Sequence, residues 1–226
     1  MVFQQCLFYN VFIVRRMPDD GFQPDSSGRQ RGNTMQFIKN ILAIIGMIAV
    51  LLGIGGYIKA RSIINEFDEG MIPMYKAFAE TLLRTKDPGD AMVLAVPVKE
   101  GLSADDVKES MKSLANTRNF LFVGESPFYK QVEAVTGQPY RHISFLSFCD
   151  ARVGKMMADH NNVYTAFMPC RIALVQDKQG KFWLYTMRLD MMIHGGKPLP
   201  PELRKEALRV WGVIQEVMHG AANGDF

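Results

Sequence analysis

The stretch Cys170-Arg-Ile-Ala-Leu-Val-Gln-Asp-Lys-Gln-Gly-Lys-Phe-Trp-Leu-Tyr-Thr-Met-Arg188 decides the fold class. Two runs rich in β-branched and aromatic residues, Cys170 to Gln176 and Lys181 to Arg188, flank Asp177-Lys-Gln-Gly180. A four-residue loop with glycine last, set between two such runs, is a hairpin signal. In the second arm Phe182, Leu184 and Thr186 alternate with Trp183, Tyr185 and Met187, so both faces carry bulk. That pattern suits a sheet with a helix on one side and a partner or ligand on the other.

Upstream of the hairpin, Met92 to Val98 reads as a strand. Ser103-Ala-Asp-Asp106 is a capping-box variant that opens a helix with Val107, Met111, Leu114 and Ala115 on one stripe. Phe120 to Val123 is a short strand, Ser126 to Val135 a helical turn or two, and His142 to Phe148 another strand. Asp150 caps a helix running to about Asp159. Downstream, Leu203, Ala207, Val210, Trp211, Ile214 and Met218 recur three to four apart after Pro198-Leu-Pro-Pro201, giving a final helix that ends before Gly220. The expected architecture is a two-layer α+β domain over residues 91–226, an antiparallel sheet with packed helices.

Ahead of this domain lies a membrane segment. Asn40 to Ile58 contains no charge, and beyond Asn40 and four glycines every residue is apolar or aromatic. As a helix it rises about 28 Å, close to the thickness of bilayer hydrocarbon. We therefore expect one transmembrane anchor over residues 37–58, in contact with the lipid bilayer. No small-residue cleavage site closes the apolar run, so the anchor is retained. Arg15, Arg16, Arg29, Arg31 and Lys39 precede the span against Lys59 and Arg61 just beyond it, which places the domain on the periplasmic or extracytoplasmic side. Residues 1–34 read as a disordered leader or as an upstream-start artefact, since Met35-Gln-Phe-Ile-Lys resembles a natural amino terminus. Residues 59–90, broken at Pro73, read as a juxtamembrane helical stalk.

Composition narrows the function classes. Of 226 residues 48% are hydrophobic and 22% charged, which excludes a chain disordered throughout. The formal charge is +3 and no window joins basic residues to aromatics, so nucleic acid is not an expected partner. The three cysteines, Cys6, Cys149 and Cys170, form no CxxC pair, and no phosphate-binding glycine loop, G-x-S-x-G elbow or H-E-x-x-H is present. No motif announces an enzyme.

Candidate site residues concentrate between Ser147 and His194, a window with six of the fifteen methionines. Cys149 directly precedes the cap Asp150, where the positive end of a helix favours thiolate. Cys149 and Cys170 frame one helix and are read as buried hydrophobes, as a disulfide or redox thiol pair, or as metal ligands. With the adjacent charges Asp150 and Arg171 they form the candidate ligand or redox set. His160 and His194 with Met168, Met191 and Met192 are soft or axial ligand types that suit copper or haem iron, although no M-x-x-M ladder or haem attachment motif accompanies them.

The segments Ser147-Phe-Cys-Asp-Ala-Arg-Val-Gly-Lys-Met-Met-Ala-Asp159 and Met168-Pro-Cys-Arg-Ile-Ala-Leu-Val-Gln-Asp-Lys-Gln-Gly180 together resemble the domain of unknown function family 302. That family carries Cys-Asn-Pro at the start of a helix and Pro-Cys at the start of a hairpin. Here Asp150 and Ala151 stand in the Asn and Pro positions, which keeps the cap and drops the proline. The similarity spans roughly residues 93–193. It implies a compact α+β domain with an antiparallel sheet, implies homodimers, and supplies no activity. The expectation is a membrane-anchored binding or sensory module, non-enzymatic and dimeric. The rival is a redox protein using the Cys149/Cys170 pair or a His/Met haem or copper site.

Overall fold

The protein is seen in a computed structural model, which describes residues 27–226. The expectation for the leader falls largely on residues 1–26, outside those described. Helix α1, Ser27–Ile64, carries the apolar run, and an 18-residue window within residues 35–64 has a mean hydropathy of 2.5 with none of it buried in the protein. Residues 59–226 form a compact unit of their own. After a turn come α2 (Met71–Thr85) and the short α3 (Pro88–Met92). Pro73 does not break the chain. It sits in the first turn of α2, where its missing N–H has no helical partner to lose.

The remainder is an α+β domain, in the order expected with one short helix added ahead of the last, and with sharper ends: β1 (Val93–Pro97), α4 (Ala104–Thr117), β2 (Leu121–Ser126), α5 (Phe128–Thr136), β3 (Ile143–Cys149), α6 (Ala151–His160), β4 (Cys170–Gln176), β5 (Phe182–Met187), α7 (Asp190–His194) and α8 (Pro201–Asn223). All strand pairs are antiparallel, in the order β1-β5-β4-β3-β2. The hairpin turn forms at Asp177 to Gly180, with Gly180 at φ +84°. Asp177 accepts from the Gln179 and Lys181 amides at 2.9 Å each and from the Trp183 indole at 3.0 Å. Ser103 and Asp106 make the reciprocal capping box of α4.

One sheet face and the helices close the core. Leu146, Phe148, Ile172, Leu174 and Leu184 pack with Val107 and Met111 of α4, Val153 and Met157 of α6, and Ile214, Val217 and Met218 of α8. Helix α8 runs past Gly220, which the sequence suggests as its stop. A Cβ there would lie 2.6 Å from Leu114 Cδ1, so that glycine lets α4 and α8 approach closely. The αL cap is Gly224, at φ +83°.

The segment after α1 is fastened to this domain by a charge cluster. The Asp68 side chain is 2% exposed and accepts from His194 Nδ1 at 2.7 Å and from the Gly70 amide at 2.8 Å, with Arg204 Nε 3.3 Å away. Burial works against the charge of Asp68, but the His194 and Gly70 hydrogen bonds and the Arg204 and His194 charges outweigh it and hold the carboxyl below its ordinary value. A depressed folded-state pKa contributes stability that is present above the ordinary carboxylate value of 3.8 and lost as pH falls through the lower folded one. Asp68→Asn is therefore expected to cost about 2 kcal/mol at pH 7, as for a lost charged hydrogen bond. Denaturation of the detergent-solubilised chain across pH should show that difference shrinking below about pH 4; a difference that grows on acidification would contradict this assignment.

Candidate functional site

The site grows out of the junction between β3 and α6. Strand β3 ends on Cys149, and Asp150 then turns the chain into α6, its carboxylate accepting from the Arg152 amide at 3.1 Å and the Val153 amide at 3.3 Å. The cap expected from the sequence is thus in place without the family's proline. The other carboxylate oxygen of Asp150 takes a hydrogen bond from Arg209 on α8. Arg209 also donates to the buried Glu206 at 2.9 Å, and Arg152 donates to the same carboxylate at 3.0 Å. Two arginines and two carboxylates thereby pin the start of α6 to α8. Burial works to raise the Asp150 pKa, but Arg209 and the two amides outweigh it and keep this carboxyl below the usual range.

Between α6, α8 and the ends of β3 and β4 lies an inner cavity of about 60 Å³. Its walls include five sulfur side chains, Cys149, Met157, Met168, Cys170 and Met192, beside Phe120, Phe167, Leu189 and Val210. Gly154 opens this space: a Cβ there would meet Met168 Sδ at 3.4 Å and Cys149 Sγ at 3.7 Å. A second cavity, of about 370 Å³, lies along β4 and β5 and is lined by Phe145, Arg171, Ala173, Tyr185 and Met187. A third, of about 470 Å³, is bordered by His160, Tyr164, Met191, Met192 and Gly195. The inner and second cavities share Phe167, Cys170 and Leu189, and Phe167 lines all three.

Most of the candidate residues meet here. Cys149, Asp150, Met168, Cys170 and Met192 face the inner cavity, Cys170 and Arg171 the second, and His160, Met191 and Met192 the third. His194 lines none of these and engages Asp68 instead. His160 stacks on Tyr164 with ring centroids 6.0 Å apart. Among the described residues no group of three or more His, Cys, Asp or Glu is arranged to hold a metal ion. Sequence reasoning missed Phe167 at the end of the 3-10 turn Asn162–Phe167, and Gly154 in the middle of α6. Both sit where no motif marks them, because their importance comes from what surrounds them.

The two thiols are free, and their electrostatics reverse the expectation of an activated thiolate at Cys149. Burial, and then the neighbouring Asp150 carboxylate, raise the Cys149 pKa. Burial, with a smaller contribution from Cys149, pushes Cys170 up to about 11. The positive end of α6 is already engaged by Asp150, which brings a negative charge to the place where a thiolate would form. Both sulfurs are therefore protonated, weakly polar wall atoms at neutral pH.

The family described as Domain of unknown function DUF302 matches residues 94–219, more than half of the sequence. The chain belongs to the DUF302 family. A solved structure described as the uncharacterized conserved protein DUF302 from Bacillus stearothermophilus is similar at 14% identity and a TM-score of 0.47, covering 57% of this chain and 96% of that one. Among curated proteins none matches. The DUF302 match takes in all three cavity walls apart from Met92 and Val93.

Thiol chemistry gives a direct check. With iodoacetamide at pH 7.5 and peptide mass mapping, Cys149 should label more slowly than an unstructured cysteine and Cys170 more slowly still, by at least tenfold. Labelling of Cys170 at the rate of a free peptide would contradict the protonated, buried state.

Proposed function

We propose that this DUF302 protein is a membrane-anchored binding module, with the cavities around Phe167 as its seat for a small, largely apolar ligand. The observation that carries the reading is the inner cavity, walled by apolar and sulfur side chains and continuous in its lining with a larger open one. Concave, mostly apolar sites with few polar groups are the usual form of small-molecule sites. Protonated thiols favour this role over a thiol-redox cycle, which needs thiolate.

Anchoring is supported by the uncharged run within α1, all of it exposed and long enough to cross a bilayer. The larger number of basic residues ahead of the span supports an extracytoplasmic domain. A homodimer is supported by β2, an edge strand whose Leu121, Phe122 and Val123 are 56%, 40% and 59% exposed. In this reading the edge pairs with its copy.

Two measurements test the proposal. The full chain should stay in the membrane fraction through alkaline carbonate extraction, and release into the supernatant would overturn the anchor. In lipid nanodiscs, saturating xenon should raise the unfolding temperature of the wild type, since dry apolar cavities take up xenon. Gly154→Leu should abolish that shift, and Gly154→Ala, whose Cβ makes ordinary contacts, should keep the fold and reduce it. No xenon-dependent difference between wild type and Gly154→Leu would overturn the inner cavity as a binding site.

A further inference from the structure

The sheet face turned away from the helical core has a composition of its own. Register aligns Phe145, Ala173 and Tyr185 across β3, β4 and β5. Adjacent strands lie about 4.8 Å apart, so the two aromatic residues stand two spacings, about 10 Å, from each other with a methyl group between them. The result is a slot with a low floor and aromatic walls, within the cavity of about 370 Å³. Tyr185 is extended along its strand by Trp183, with ring centroids 6.2 Å apart and planes 21° from parallel.

Arg171 sits two residues from Ala173 on β4, so it projects from the same face. Its guanidinium carbon lies 5.7 Å from the Phe145 ring centroid, and no carboxylate pairs with it among the described residues. Among the described residues it is the only charged one lining this cavity. A lone cation at the end of an aromatic slot is complementary to a molecule with a flat apolar body and one negative charge.

We propose that this slot binds a planar aromatic monoanion, a carboxylate of the naphthoate type, with the ring between Phe145 and Tyr185 over Ala173 and the carboxylate on Arg171. The proposal rests on the binding-module reading but uses the sheet-face cavity, not the inner one that the xenon measurement addresses. Xenon binding with no naphthoate binding removes this inference and leaves that reading standing.

Isothermal titration of the full chain in nanodiscs, with empty nanodiscs subtracted, tests it with three probes. 2-Naphthoate should bind at one site per chain. 2-Naphthol, which lacks the charge, and cyclohexanecarboxylate, which lacks the flat ring, should each bind at least tenfold more weakly. Arg171→Gln should weaken naphthoate at least tenfold and leave naphthol unchanged. Ala173→Leu should abolish naphthoate binding while circular dichroism confirms the native fold. Absence of saturable naphthoate binding to the wild type, or naphthoate binding indifferent to Arg171→Gln, would overturn the site. Equal affinity for cyclohexanecarboxylate would overturn the planar-ring specificity.

Discussion

The apolar stripe of α8 is the constraint on which the rest of the domain depends. Leu203, Ala207, Val210, Ile214, Val217 and Met218 are all buried, and α4, α6, α7, β1 and β5 each pack against this helix. Apart from the smaller Ala207, burying such side chains is worth roughly 1.5–3 kcal/mol each, so the stripe outweighs any single polar contact in the fold. The polar contacts do a different task. Arg209 and Glu206 project from the same helix and fix where α6 begins, and Arg204 reaches the Asp68 cluster near the end of α1. One helix thus sets the position of the inner cavity and ties down the segment that leads into the domain.

Much of the fold was legible because local chemistry and tertiary packing agree. The Asp177–Gly180 turn, the Ser103/Asp106 box and the Asp150 cap are short-range devices whose partners lie within a few residues, so the sequence announces them. Gly220 and Pro73 were misleading for the same reason in reverse. Each is a common helix breaker, yet Gly220 answers to Leu114 on another helix, and Pro73 falls in a first turn where it costs nothing. The short α7 and the 3-10 turn before β4 are five and six residues long, too short to show a periodicity.

The site was half legible. Residue type brought out Cys149, Cys170, Arg171 and the methionines, and the fold gathers most of them around adjoining cavities. Their chemistry was harder to read. A cysteine before a helix suggests an activated thiol, but burial, and then the Asp150 carboxylate at the helix start, reverse the sign of the shift. His194 was grouped with the soft ligands by sequence proximity to Met191 and Met192, while its actual partner, Asp68, lies far away along the chain. Distant pairings of that kind have no local signature.

Phe167 is 41% exposed and contributes to the lining of three cavities at once. A ring in that position is a shared partition: replacing it alters the walls of all three chambers together, whereas replacing Cys170 or Leu189 alters two.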